Sequence, residues 1–592
     1  MQRIDAIQNA PESALWHTLI EAENYHALQT LLWLYEGQVD CIYIDPPYNT
    51  GAKDWKYNND YVDGSDAWRH SKWLAMMERR LKLAKRLLNP RDSVLIVTID
   101  EKEYLHLGCL LEELFPEARM QMVSSVINPA GVSRGGEFAR TNEYIYFVYI
   151  GECRPSAMEL GESWIGEIKN KKRKFGLRWN TLLRSGTNAR RIDRPNLFYP
   201  IHINEEGTKI LAIGEPLPIG EDIPPTIFDK STKTIWPIRS NGEEGNWQIS
   251  HKNLRELVTS GYVRLGKFNN RGTIAIDYLK KGEVTKIEDG TFKITGRDEN
   301  GTITVDDSGY EPIFVPGCQW NIPAHDATQQ GTKLLNAIIG SRFSFPKSLY
   351  AVHDALRFFV AAKPNALILD FFAGSGTTLH AVNLLNAADG GQRRCILVTN
   401  NEVSADEEKA LRADGHKPGD EEWEALGIAR HVTWPRTVCS IKGENIKGEP
   451  LKGQYLGTER DMAAGFAANA IYFKLGFLDK TSVALGRQFA ALLPLLWLKA
   501  GAAGECPTLD GAAPLPPMLL YPANRFAVLL DEKHYAAFCS ELAQQPDIDT
   551  LYFVTDSEKA FQNMAGNLRS RAAFQLYRDY LENFRIKVER TA

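Results

Sequence analysis

Cys41-Ile-Tyr-Ile-Asp-Pro-Pro-Tyr-Asn-Thr-Gly51 (CIYIDPPYNTG) joins four apolar residues to a carboxylate, two prolines and a tyrosine. Cys41 to Ile44 reads as a buried strand, because a short unbroken run of β-prone apolar residues suits a sheet covered on both faces. Neither proline can continue a helix or donate to a strand ladder. The chain must therefore leave the sheet at Asp45, in a stiff turn carrying Asp45, Pro46, Pro47 and Tyr48.

Around this stretch strands and helices alternate. Residues 14–36 read as a strand and a helix, stopped by Gly37. A long amphipathic helix, WRHSKWLAMMERRLKLAKRLL, begins at a Ser65 or Asp66 cap and ends at Asn89-Pro90. SVLIVTID (93–100) is a strand, Glu101–Leu114 a helix, and MQMVSSVI and EYIYFVYI are strands. This alternation, with continuously apolar strands, predicts a mainly parallel α/β sheet with both faces covered.

The texture changes at Gly151. Short strands and many Gly and Pro follow, with a basic run at 169–194 that holds ten Lys or Arg against one Asp. The α/β pattern returns near 343 with FSFPKSLY, a helix (His353–Ala362) and ALILDFFAGSGTTLHAV, then the strand RRCILVTNNE. One α/β domain thus reads as split by an insertion. The predicted organisation is a first half (1–150), the insertion (151–320), a second half (321–450), a helical region (451–500), a Gly/Ala/Pro-rich linker (501–517) and a small C-terminal α/β domain (518–592). A chain of 592 residues accommodates about four domains.

A net charge of −5 does not mark the whole chain as a nucleic-acid binder, so any such role belongs to a local patch. The eight cysteines include no CxxC pair, which argues against a disulfide framework and a zinc ribbon and fits reduced thiols in the cytoplasm. No metal site is expected. The N-terminus lacks a secretory apolar core, and FAALLPLLWL from Phe489 is too short to span a bilayer and contains Pro494.

In LDFFAGSGTT, Gly374 and Gly376 permit positive φ and a close ligand approach, and Thr377 or Thr378 is placed to cap the next helix. No lysine follows the glycines, so the turn is not a phosphate-gripping P-loop. Asp370, at the strand's end, suits a cationic ligand such as S-adenosylmethionine, which carries an ammonium and a sulfonium. Glu402, one strand later, sits where acidic residues take ribose hydroxyls in nucleotide folds. Each turn read by itself is a plain loop. Together they follow buried strands and can face one crevice. There Asp45 and the carbonyl beside Pro46 can accept the two hydrogens of an exocyclic base amine and push its nitrogen towards tetrahedral geometry. The prolines keep these acceptors aligned, and Tyr48 offers a ring to an extruded base.

Asp45-Pro46-Pro47-Tyr48 with Phe372-Ala373-Gly374-Ser375-Gly376 resembles the motif pair of amino-group DNA methyltransferases, in the beta-class order of catalytic motif first. With WLAMMERRLKLAKRLL, SVLIVTID, NEYIYFVYIG, NLFYPI, TIWPI and FSFPKSL, residues 14–450 resemble the modification subunits of type III restriction–modification systems. The resemblance implies a permuted, Rossmann-like S-adenosylmethionine-dependent methyltransferase sheet with an inserted target-recognition domain. It implies that Asp370, Phe372, Ala373, Gly374, Ser375, Gly376 and Thr377 wall the methionine end of the cofactor and that Glu402 holds its ribose. Lys347 falls where such enzymes close the pocket. Glu23, in Ala22-Glu23-Asn24 where the family has Gly-Asp-Asn, is placed to reach the adenine. An initial Asp in the catalytic motif goes with adenine N6. N4-cytosine or RNA amino-methylation is the alternative chemistry, and a recognition subunit with a vestigial methylase core the alternative class.

The family places its target-recognition domain in the insertion. There Lys171, Lys172, Arg173, Lys174, Arg178, Trp179, Arg184, Arg190 and Arg191 are the candidates to track double-stranded DNA. No helicase or nuclease motif is visible, so a restriction activity would belong to a partner subunit of a defence system. Residues 450–500 read as a packed core, with a homodimer surface as the alternative.

Overall fold

In the computed structural model, Cys41–Ile44 is a strand near the middle of a ten-stranded sheet. The structure describes residues 1–11, 14–50, 52–57, 60–134, 136–160, 162–165, 177–225, 231–268, 273–306, 313–477, 489–509 and 515–576. In chain order the strands of the sheet are β1 (Gln2–Gln8), β2 (Trp16–Glu21), β3 (Cys41–Ile44), β4 (Asp92–Ile99), β5 (Arg119–Val126), β6 (Asn142–Gly151), β7 (Gln319–Trp320), β8 (Leu367–Asp370), β9 (Arg394–Thr399) and β10 (Asn469–Lys474). Side by side they run β1-β10-β2-β9-β8-β3-β4-β6-β5-β7. From β10 to β4 every neighbouring pair is parallel; β6 runs antiparallel between β4 and β5, and β1 closes the other edge antiparallel to β10.

The unbroken apolar strands are explained by what covers them. Along β3, Ile42 and Ile44 face a core with the helices α1 (Asn24–Tyr35), α2 (Arg69–Leu87) and α3 (Tyr104–Leu114). Cys41 and Tyr43 face the opposite core with α4 (Leu349–Val360), α5 (Thr377–Asp389) and α6 (Trp434–Lys442). Successive strand residues point to opposite faces, so a strand buried on both sides has no polar position to spare. In α2 the buried residues Trp73, Met76, Met77, Leu81, Ala84 and Leu87 recur at helical spacing, and the helix ends just before Asn89-Pro90.

The chain divides into two units, one of Met1–Gly166 with Phe314–Ala592 and one of Glu167–Ile313. The second lies within the stretch read as an insertion and has its own core, including Leu182, Tyr199, Ile201, Trp247, Leu254 and Ile276.

Three expectations are corrected. Residues 451–500 are not simply helical, because Asn469–Lys474 supplies β10; Ala470 to Phe473 is an apolar run short enough to be either element until its partners are known. Within 501–517, Ala502, Ala503 and Cys506 are buried, and the Trp16 amide donates to the Ala502 carbonyl at 3.2 Å. Small residues there let backbones approach rather than loosen the chain. Third, the four-stranded C-terminal sheet (Met518–Tyr521, Phe526–Leu529, Thr550–Val554, Ala572–Leu576) shares a core with the main sheet. The helix α7 (Phe489–Lys499) joins them: Tyr35 donates to the Leu498 carbonyl at 2.7 Å and Tyr552 to the Leu496 carbonyl at 2.8 Å. No helix among the described residues is long and apolar enough to cross a membrane.

Candidate active site

The strands β3 and β8 are parallel neighbours, with Ile368 opposite Cys41 and Leu369 opposite Ile42. Their carboxyl ends therefore open side by side. The chain leaves β8 through α5 towards β9 and leaves β3 through α2 towards β4, in opposite directions across the sheet. Such a divergence opens a crevice at the strand ends. A cleft of about 410 Å³ lies there, lined by Tyr43, Asp45, Phe343, Phe345, Pro346, Lys347, Val352, Asp370, Phe372, Ala373, Gly374, Ser375, Thr377 and Thr378.

On the β8 side the glycine turn is held open from behind. Gly374 and Gly376 have φ of 49° and 76°, the left-handed region that favours glycine. The Gly374 carbonyl accepts from Thr433 Oγ1 at 2.6 Å, and Arg436 Nη1 donates to Ser375 Oγ at 3.0 Å and to Thr377 Oγ1 at 2.6 Å. Neither threonine caps α5, contrary to the sequence reading: Gly376 is the cap residue and makes no side-chain bond. Thr378 instead donates to Asp370 Oδ2 at 2.6 Å, while the Phe372 amide donates to Oδ1 at 3.0 Å. Burial pushes the Asp370 carboxyl up to about 7, Thr378 and Phe372 pull it down, and the Asp45 charge adds to the rise. A buried carboxylate that faces a cleft and, among the described residues, has no ion-pair partner suits a cationic ligand.

On the β3 side, Asp45 Oδ1 accepts from Thr98 Oγ1 at 2.7 Å and lies 3.1 Å from Lys347 Nζ. Lys347 also donates to Glu143 Oε2 at 2.7 Å and to the Tyr48 hydroxyl, and its ammonium lies 4.4 Å from the centroid of the Tyr48 ring. Tyr48 donates to Glu143 Oε2 at 2.8 Å. Burial works against the charge on Lys347, but the carboxylates of Asp45 and Glu143 outweigh it and raise its pKa. Burial, then the same two carboxylates, push the Tyr48 phenol well above its ordinary value, so it stays a neutral donor. Pro47 is fixed through its carbonyl, which accepts from Trp73 Nε1 at 2.7 Å.

The structure thus gathers Asp45, Lys347, Asp370 and the glycine turn, but not every residue singled out in the sequence. Glu402 is exposed, three residues beyond β9 and outside the cleft lining. Glu23 caps α1, accepting from the Tyr25 amide at 2.8 Å, and pairs with Arg80; the neighbouring Asn24 Nδ2 donates to the Phe371 carbonyl at 2.9 Å. Lys171, Lys172, Arg173 and Lys174 lie outside the described residues. Arg191 is corrected as a candidate phosphate contact. It is buried, bonds Glu244 at 3.0 Å and the carbonyls of Leu217, Pro218 and Glu221, and stacks 4.2 Å from the Phe198 ring centroid. Arg184 is likewise occupied by Asn246 Oδ1 at 3.0 Å and the Gln248 carbonyl at 3.2 Å. Arg178 and Arg190 are exposed, and Trp179 carries Arg264 5.0 Å from its ring centroid. Glu143 was missed, although an acid at the head of the apolar run EYIYFVYI is the signal that finds it.

Residues 39–391 match the family described as DNA methylase. The type III restriction–modification enzyme EcoPI Mod subunit of Escherichia phage P1 is 30% identical over 414 residues, which cover 65% of this chain and 57% of that protein. The EcoP15I Mod subunit of Escherichia coli is 25% identical over 421 residues, covering 67% of this chain and 60% of that one. The chain therefore spans less than two thirds of either subunit. The type II methyltransferase M.KpnI of Klebsiella pneumoniae is 28% identical over 404 residues, 67% of this chain and 84% of that enzyme. Among solved structures, the M1.HpyAVI–SAM complex is 13% identical and matches 67% of this chain and 98% of its own, at a TM-score of 0.25 that carries no argument.

Proposed function

This chain belongs to the DNA methylase family, and we propose that it transfers a methyl group from S-adenosylmethionine to N6 of an adenine in duplex DNA, as a modification subunit of the type III kind. The observation that carries this reading is the convergence of Asp45 and Asp370 on one cleft from the ends of adjacent parallel strands. The residues fit the cofactor: a buried carboxylate for its positive charge, and a glycine turn that leaves backbone room beside it. S-adenosylmethionine supplies an activated methyl group when bound.

Everything else falls to the protein. The exposed Phe345 in the cleft lining offers an aromatic face to an adenine turned out of the duplex, and Tyr48, just outside that lining, offers a second once Lys347 leaves its ring. Asp45, its Oδ1 steered by Thr98, would accept a hydrogen bond from the amine and raise the electron density on N6, and its carboxylate would take the proton that N6 gives up on gaining the methyl group. Lys347 bridges Asp45 and Tyr48, in the space the amine needs, and its flexible stem lets it withdraw onto Glu143. The exposed Arg178 and Arg190 of the inserted unit are the described candidates for phosphate contact. Restriction, where it accompanies this chain, belongs to a partner subunit.

Mass spectrometry of nucleosides from DNA treated with the protein tests the chemistry: N6-methyladenine is expected, and N4-methylcytosine alone would overturn it. Asp45→Ala is expected to lower kcat by about 10²–10³-fold or more, the loss typical of one group that stabilises transition-state charge. Its affinity for the cofactor in calorimetry should stay within about threefold of wild type, since the Asp370 side of the cleft is untouched.

A further inference from the structure

Behind the catalytic turn a buried carboxylate has no part in the chemistry described so far. Glu103 is fully buried at the N-terminus of α3, yet makes no capping bond. Its Oε1 accepts from Asn49 Nδ2 at 2.5 Å and lies 2.5 Å from His70 Nδ1, and its Oε2 lies 3.1 Å from His106 Nδ1. His70, Glu103 and His106 bring ligand-type atoms within 4.8 Å of one another. Their hydrogen bonding points away from a metal. Arg69 Nε donates to His70 Nε2 at 3.3 Å, which leaves the ring proton on Nδ1 to donate to Glu103. The nitrogen is thus used for a hydrogen bond and has no lone pair for an ion.

What the carboxylate holds is Asn49, the residue after Tyr48. Asn49 is itself buried and has φ of 54°, a left-handed conformation that asparagine tolerates at a cost only when something fixes it. Its amide also donates to the Arg69 carbonyl at 3.3 Å. Burying an anion is expensive unless its bonds bring a return. Here those bonds run from the first turns of α2 and α3 to the residue that sets the exit direction of Asp45-Pro-Pro-Tyr48.

We propose that Glu103 is a positioning residue for methyl transfer: through Asn49 it locks the left-handed turn that follows Tyr48, which keeps Asp45 in the cleft and Tyr48 against Lys347 beside it. The inference rests on the methyltransferase reading above. It makes no contact with substrate necessary, because a displacement on the order of 1 Å at the reacting groups is enough to cost about a hundredfold in rate.

The test is an exchange of donor and acceptor in the full-length protein. Glu103→Gln is isosteric but takes away the negative charge and one of the two acceptor oxygens that Asn49, His70 and His106 face, and Asn49→Asp sets a second carboxylate against Glu103. Each single variant is expected to lower kcat by about 10- to 100-fold, with KM for the cofactor and the thermal midpoint little changed. The double variant Asn49→Asp/Glu103→Gln restores a donor–acceptor pair with the polarity reversed, in a residue type that also tolerates the left-handed region. It should recover at least tenfold of the lost kcat over the worse single variant. Wild-type rates in both singles, a double variant no better than the worse single, or kcat losses matched by a fall in thermal midpoint would each overturn the proposal. If the wild-type protein itself transferred no methyl group, the reading of the function would fall instead.

Discussion

Asp370 shows how much a single side chain contributes to a site by being uncomfortable. Its carboxyl, raised to about 7 mainly by burial, is half protonated near neutrality when nothing cationic lies beside it. The ionised form is the one that attracts a sulfonium or ammonium, and it gains population as pH rises through 7. Cofactor affinity is therefore expected to strengthen about tenfold between pH 6 and pH 8 and then level off. Calorimetry at several pH values checks this, and Asp370→Asn should be weak and flat across the range. The sign for folding is opposite. A raised acid pKa means that the folded chain holds the proton longer, so this group costs stability as pH climbs from about 4 to about 7. Ligand binding offsets that cost. Of the individual residues, Asp45 and Asp370 were legible because a carboxylate ending a buried strand breaks the local pattern. Glu103 was not, since its partner Asn49 lies 54 residues away, and Glu143 shows only as an acid heading an apolar run, its partners Tyr48 and Lys347 lying 95 and 204 residues away.

At the level of elements, the turns carry the site and the helices behind them keep the turns in place. Gly376 stands against Thr433, where an added Cβ would meet Cγ2 at 3.3 Å and the carbonyl oxygen at 3.4 Å. With φ of 76° the position is also strained for any side chain. Gly376→Ala is expected to cost about 1–2 kcal/mol in unfolding free energy and to weaken cofactor binding by about tenfold, because relief of the strain moves the start of α5. Denaturant titration and calorimetry on the same variant separate the two effects. The strands with long apolar runs and the helix α2 were readable from periodicity, which is a local signal. The strands β1 and β10 were not. Gln2–Gln8 is mostly exposed or half-buried, with Ile7 its one buried residue, and it pairs with a partner more than 460 positions away, which no local pattern records.

For the whole molecule, the C-terminal sheet is the main surprise. The sequence suggests a linker and a small α/β domain, but Phe526, Val528 and Tyr552 belong to the core that also holds Tyr35 and Trp497. Removing residues 518–592 would uncover that apolar surface, so the shortened chain is expected to be aggregated or to melt at least 10 °C lower. A shortened chain with the full melting temperature would show that the two sheets are separate after all. The main sheet is itself built from distant parts, and this has a consequence for how the protein is made. The Leu367 amide bonds the Asp40 carboxylate at 2.9 Å across 327 residues, and β2 pairs only with β9 and β10, both later still. At ribosomal speeds of about 5–20 residues per second, one edge of β3 waits roughly 16–65 s for its neighbour, and the two edges of β2 wait roughly 19–76 s and roughly 23–91 s. During that interval the nascent chain carries bare apolar strands, and it depends on chaperones, or on the early cover of α1 and α2, to reach the sheet unaggregated.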